Sequence, residues 1–413
     1  MTKEIICSFA IKTLFSIVGL FITALISRTF SQSETGVIFT MISMIAVLSA
    51  FNRGGLETII ARRSSAFVYL NSFHSRLLFS SFIIVFCFSL FASGVFLTFN
   101  IFSPVISSID NNIKLFVYIA SIFDAMLLVA IRIFQGIGKP QLFLLLALSQ
   151  KIGLLCTLLV LSLLSLLTIE TFIFGYIVST ILPLYFQLKK LKLCKARFLA
   201  AKHYLGRAKS LIKESVPIFI VGIANAISQH SGIFVIGILL TNESVAAYGI
   251  LHRVASVAGF FAIASNTVLA PYFSREYRKN GITAAYSLYI EACKKILFIG
   301  APFFSLVILF SDYILAIFGQ EYVVHNKLLI LMLVAQLVNV VTGSMNTFLI
   351  MTKKTKIYKN INLINILAGL ALMFLLVSTW KLTGAGVAYA LSIIILNGTM
   401  FLTIRIIVKN EKN

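Results

Sequence analysis

The sequence predicts an all-α integral membrane protein: twelve transmembrane helices arranged as two pseudo-symmetric six-helix lobes. Three observations carry that expectation. The first is composition: 59% of the residues are hydrophobic and 12% are charged, whereas a soluble domain is about 25% charged. The second is that long apolar runs recur at the roughly 20 residues needed to cross a bilayer. The third is a dense basic stretch at 189–213, KKLKLCKARFLAAKHYLGRAKSLIK, near the centre of 413 residues.

Taken in order, the first half holds spans at about 7–27, 36–52, 75–98, 113–134, 141–165 and 169–188. The second half holds spans at about 216–240, 245–271, 288–318, 326–351, 357–380 and 384–408. The amino-terminal span follows one Lys and one Glu and has no A-x-A site, so it reads as a retained first helix rather than a cleaved leader. The expected organisation is a lobe at 1–188, a basic cytoplasmic linker at 189–214 and a second lobe at 215–413.

Loop charges support the count. Cationic loops stay in the cytoplasm. Alternate loops carry Arg53, Arg62, Arg63 and Arg76; Lys139; the linker cations; Arg275, Arg278 and Lys279; and Lys353, Lys354, Lys356 and Lys359. Between them, the external loops carry only Arg28, Lys114, Lys327 and Lys381. A missed or extra span would scramble this alternation, so both termini are expected inside. The same loops absorb most of the net charge of +22, which makes nucleic acid an unneeded partner.

The external loops are short. The longest lies around 100–112. A membrane transferase, polymerase or ligase would bring a larger loop to hold its chemistry. No Walker A, G-x-S-x-G or H-E-x-x-H motif is present, and GIGKP lacks both the spacing and the hydroxyl of a phosphate loop. The cysteines form no CxxC pair, so neither metal nor disulfide is implied, and no cofactor is expected. The turns SETGVIF at 33–39 and NESVAAY at 242–248 open the second span of each half, a faint internal repeat.

Charge inside a span is costly and marks function by default. Asp124 lies near the middle of the fourth span, Lys151 near the middle of the fifth, and His252 and Arg253 well inside the eighth. Two readings are open for these: a cavity-facing role, or pairing between helices, with Asp124 and Lys151 as the evident pair. Lys12 and Arg132 lie within about two turns of the cytoplasmic face, where their stems reach water. Arg53, in FNRGGLE, and the Arg62–Arg63 pair could meet a phosphate entering from the cytoplasm, although the loop-charge rule alone also explains them. Gln229 and His230 suit a cavity or an interhelical hydrogen bond. Glu291 and Lys295 have the spacing of a local ion pair.

Several stretches resemble one family. LFSIVGLFITALISRTFSQSETGVIFTMISMI at 14–45, RIFQGIGKPQLF at 132–143 and SVPIFIVGIANAISQHSGIFVIGILLTNESVAAYGILHRV at 215–254 resemble polysaccharide flippases of the O-antigen and capsule export type. LAPYFSREYRKNG at 269–281, ILAIFGQEYVVHNKLLILML at 314–333 and TGAGVAYALSIIILN at 383–397 continue the likeness in order. These flippases belong to the multidrug/oligosaccharidyl-lipid/polysaccharide exporter superfamily. Many relatives carry an acidic residue in the seventh helix where this chain has Ser231 and Gly232, so no cation-coupling role is carried over to that point.

The resemblance implies two lobes in a MATE-like V around a cavity that opens to alternate sides. It also implies a substrate: an oligosaccharide repeat unit on a polyprenyl pyrophosphate, flipped from the cytoplasmic leaflet of the bacterial inner membrane for O-antigen or capsule. Lys12, Arg53, Arg132, Lys151, His252 and Arg253 are then expected to meet the headgroup, with Asp124 at the substrate or coupling-ion site. Membrane lipids are implied partners, and the surface-glycan polymerase and chain-length regulator are further candidates. A cation-coupled drug extruder of the same superfamily is the alternative, and it calls for acids to outnumber bases in the cavity. A glycan polymerase or ligase is a third reading, and a structural scaffold would need no charges inside its spans.

Overall fold

The computed structural model describes residues 2–66, 74–98, 111–136, 140–190 and 201–411. Lys139, Lys192, Lys195, Arg197 and most of the segment around 100–112 lie outside the described residues, as do the side chains of Lys12, Arg63 and Arg76. All regular elements among the described residues are helical. In chain order they are α1 Thr2–Thr29, α2 Gln32–Arg53, α3 Leu56–Ala66, α4 His74–Thr98, α5 Asn111–Gly136, α6 Pro140–Leu163 and α7 Ile169–Lys190. They continue with α8 Ala201–Leu239, α9 Asn242–Ala258, α10 Phe260–Leu309, α11 Ser311–Phe318, a 3-10 turn at Gln320–His325, α12 Asn326–Thr342, α13 Met345–Met351 and α14 Thr355–Asn410.

The twelve spans map onto these helices. α1, α2, α4, α5, α6, α7 and α8 are the first seven. α9 and the start of α10 form the eighth, and α10 turns at Gly281, whose φ of 80° suits glycine, to start the ninth. α12 and α13 form the tenth. α14 doubles back at Lys381, and Gly384 lies so close to Leu376 O that a Cβ would stand 1.9 Å away. Eight described helices are long and apolar enough to cross a membrane on their own, while α1 and α4 contribute shorter apolar stretches. Large apolar side chains such as Phe91, Leu163, Phe298 and Leu309 are mostly exposed, as a lipid-facing surface requires.

The chain divides into two compact units, Met1–His230 and Ser231–Asn413. In each, the fourth span is the hub. In the N-terminal unit α5 packs on α2, α3, α4, α6 and α7. In the C-terminal unit α12 packs on α9, α10 and α14. The two short turns found in the sequence also correspond: Ser31 caps α2 in a capping box with Glu34, and the Thr241 hydroxyl caps α9 by accepting from Ser244 N.

The basic linker does not run as loop up to the seventh span. Helix α8 begins at Ala201, inside it. The first half of α8 docks on the N-terminal unit. At the α2–α3 corner, Gly54 and Gly55 adopt φ of 57° and 72°, and a Cβ on Gly55 would stand 2.7 Å from Phe219 N. Phe219 also meets the Phe51 ring edge-on at 5.2 Å. Arg62 pairs with Glu214 at 2.6 Å. Gly136, at the end of α5, leaves room for α3, since a Cβ there would meet Ala61 O at 2.2 Å.

Candidate functional site

The N-terminal unit carries a buried acid mid-helix. Asp124 on α5 is 7% exposed. Its Oδ1 accepts from Gln150 Nε2 on α6 at 3.0 Å and from the Tyr176 hydroxyl on α7 at 3.3 Å. Gln150 also donates to the Thr180 hydroxyl at 3.2 Å, and Thr180 in turn donates to Tyr176 O at 2.8 Å. Both donors to Asp124 are neutral. A carboxylate buried in an apolar bundle would be prohibitive without such bonds.

The pairing of Asp124 with Lys151 is not the one the fold makes. Consecutive residues on α6 point about 100° apart, so Gln150 faces Asp124 while Lys151 turns to α1. Its ammonium lies 3.6 Å over the Phe15 ring and donates to Phe15 O at 3.3 Å. Gly19 makes this possible, because a Cβ there would stand 2.9 Å from the Lys151 Nζ.

Arg53 and Arg132 come together around one carboxylate. Arg53 donates to Ser49 at 2.7 Å and pairs with Glu57 on α3 at 3.4 Å, both side chains being under a fifth exposed. Arg132 on α5 donates to Gln135 at 2.6 Å and lies in the electrostatic field of Glu57 and Arg53. Arg53 and Arg132 thus both lie in the field of Glu57. Lys12 lies on α1, with its side chain outside the described residues.

In the C-terminal unit, His252 and Arg253 are half-buried on α9. The His252 ring is stacked on Tyr248 at 5.8 Å and meets Tyr389 of α14 edge-on at 5.4 Å. Tyr389 is bonded to Gln336 of α12, Gln336 to Asn339, and Asn339 to Asn397 of α14. Where many relatives were expected to hold an acid, Gly232 gives space to Tyr248: a Cβ would stand 2.3 Å from that ring. Gln229 is exposed and His230 half-buried on α8. Glu291 and Lys295 form the local ion pair their spacing predicts, at 2.6 Å.

Sequence reasoning missed Gln150, Tyr176 and Thr180, and the whole set Gln336, Asn339, Tyr389 and Asn397. The available signal was an amide inside an apolar run, as in LMLVAQLVNVV and SIIILNG. Amides in such runs need partners on other helices.

The fold is shared with solved structures of MurJ and of a MATE transporter of the MOP superfamily, which is the level at which the resemblance read from the sequence stands. The MatE family model matches residues 217–375. Two solved structures share the fold across nearly the whole chain. One is the lipid II flippase MurJ in an inward closed conformation, with a TM-score of 0.76 and 18% identity over 96% of this chain and 87% of that one. The other is an inward-facing multidrug resistance MATE family transporter, with a TM-score of 0.78 and 13% identity over 99% of each chain. Among curated proteins, the chain is similar to the probable low-salt glycan biosynthesis flippase Agl15 of Haloferax volcanii. The two are 26% identical over 189 residues, a match that spans 45% of this chain and 39% of that relative.

Proposed function

We propose that the protein is a flippase that carries a polyprenyl-pyrophosphate-linked oligosaccharide from the cytoplasmic to the outer leaflet by alternating access, for a surface polysaccharide such as O-antigen or capsule. The observation that carries this reading is the charge balance inside the helices. Lys151, Arg132 and Arg253 are basic; Asp124 is the acid set deepest among the candidate residues. A pyrophosphate entering hydrocarbon needs compensating cations. Arg suits bidentate contact with its oxygens, and Lys serves as a point charge. The glycan-flippase relative and the flippase fold agree with this reading.

In the proposed cycle the N-terminal unit collects the headgroup at Arg53 and Arg132, and the headgroup crosses while the lipid tail stays in the bilayer. The protein acts as a transporter and not as an enzyme, and it draws on gradients. An inside-negative potential drives an anion outward by about 2.3 kcal/mol per charge per 100 mV. The membrane is the bacterial inner membrane, with both termini cytoplasmic. A polymerase and a chain-length regulator would receive the product.

Asp124 supports a second reading, cation-coupled extrusion of drugs. Both donors meet Oδ1, so Oδ2 is the position for a proton or small cation. In the flippase reading the same site serves for counter-transport.

Deleting the gene and assaying surface glycan together with the lipid-linked oligosaccharide pool tests the choice. Lost glycan with completed units trapped on the inner leaflet is the expected result. Unchanged glycan with new sensitivity to cationic drugs would replace the flippase with the extruder, and exported units that fail to grow would point to a polymerase.

A further inference from the structure

The amide chain in the C-terminal unit has a fixed direction. Asn397 Nδ2 lies 2.9 Å from Ile393 O, and a carbonyl only accepts, so the nitrogen of Asn397 is assigned by chemistry. The same nitrogen lies 3.3 Å from the Asn339 oxygen. That in turn makes Asn339 Nδ2 the donor to Gln336 Oε1 at 3.1 Å, and Gln336 Nε2 the donor to the Tyr389 hydroxyl. An isolated amide is ambiguous between its oxygen and nitrogen; here one backbone carbonyl orients all three. The relay ends on a phenol oxygen that accepts from Gln336. Its own proton is therefore directed away from the relay.

The surroundings resemble a binding site more than interhelical glue. Gln336 and Asn397 are buried, at 7% and 5%, while Tyr389 and His252 are half-buried and hold the Tyr248 ring beside them. Two of the helices around the relay are interrupted. α9 gives way to α10 at Gly259, where a Cβ would stand 3.1 Å from Gln336 Oε1. α12 gives way to α13 at Gly343, whose carbonyl lies 3.5 Å from Asn266 Nδ2. Broken membrane helices gather at transporter binding sites.

We propose that Tyr389 donates its hydroxyl proton to a sugar oxygen of the transported headgroup, with Gln336, Asn339 and Asn397 as positioning residues and the His252 ring, backed by buried Tyr248, as the wall for a pyranose face. This rests on the flippase reading above and names the part of the substrate that the C-terminal unit reads. Two of the three amide oxygens of the relay, those of Gln336 and Asn339, already accept within it, which disfavours a metal cation. A single uncharged donor flanked by flat rings suits a neutral sugar more than a phosphate.

The test measures binding of two probes to the purified full-length protein: farnesyl pyrophosphate, and the same lipid bearing N-acetylglucosamine. Tyr389→Phe keeps the ring and is expected to bind the sugar-bearing probe about 10-fold more weakly, with the sugar-free probe unchanged. Asn397→Asp places an acceptor where the relay needs a donor. Asn339 and Gln336 then turn round, the Tyr389 proton is drawn inward, and the same selective loss follows at near-wild-type Tm. Equal loss of both probes, or a change in Tm without a change in selectivity, makes the relay structural and overturns the proposal. Wild-type protein that binds neither probe would remove the flippase reading and this inference with it.

Discussion

The two hub helices solve one problem in opposite ways. Each of α5 and α12 places a polar residue near its middle and ties it to a later helix of its own unit. In the N-terminal unit that residue is ionisable: Asp124 is held by Tyr176 of α7 and by Gln150. In the C-terminal unit the relay is neutral, as Gln336 and Asn339 connect to Tyr389 and Asn397 of α14. The two hubs are packed alike but carry different chemistry. One hub holds a carboxyl group, and the other holds an oriented set of neutral hydrogen bonds.

The comparison breaks first at its centres. Asp124→Leu strands the Gln150 amide and the Tyr176 hydroxyl, at about 1–3 kcal/mol each. Asn339→Leu strands only neutral groups, and such interhelical bonds average about 0.6 kcal/mol. The drop in Tm of the purified protein is expected to be clearly larger for Asp124→Leu. Equal drops would mean that the two hubs are alike. Asp124→Asn keeps both partners, so it is expected to fold and to lose any dependence of transport on an ion gradient.

The second contrast lies along α8. Gly232→Leu drives a side chain into Tyr248 and is expected to destabilise by about 1–3 kcal/mol. The double variant with Tyr248→Ala should recover most of that in a thermal melt. Gly222, on the same helix, has nothing within 4 Å of a Cβ. Gly222→Ala should be neutral or stabilising by up to about 1 kcal/mol.

Much of this was legible in advance. Helix number, the turn pairs and the sites of intramembrane charge follow from run length and composition, because each span must satisfy its own backbone. The partner of Asp124 was not legible. Adjacency in sequence suggested Lys151, but helical geometry puts residue 150 on one face and residue 151 on another. The amide relay was hidden for a related reason: Gln336, Asn339 and Asn397 are ordinary singly, and only the packing of α12 on α14 joins them. The helical second half of the linker was masked by its charge, since a basic stretch reads the same as loop or as helix.

The smallest effect concerns the ends of the C-terminal unit. Lys354 meets Glu411 at 2.9 Å, with side chains 31% and 41% exposed. That hydrogen bond holds the Lys354 ammonium above the usual lysine range. A raised folded-state value adds stability that is complete below the unfolded value of about 10.4 and fades as pH rises through the folded one. Lys354→Met is expected to cost no more than about 1 kcal/mol near neutral pH. Melts of the variant and the parent should converge only above pH 10.4 or so; a difference that persists there would assign the effect to packing.

Transport in liposomes tests the central claim most directly. Purified protein would be reconstituted with a fluorescent polyprenyl-pyrophosphate oligosaccharide under an imposed membrane potential, and leaflet exchange followed by accessibility to a glycosidase. The account predicts potential-driven exchange that Lys151→Ala and Arg253→Ala each abolish. No exchange by the wild type, together with efflux of a cationic dye that Asp124→Asn stops, would contradict it.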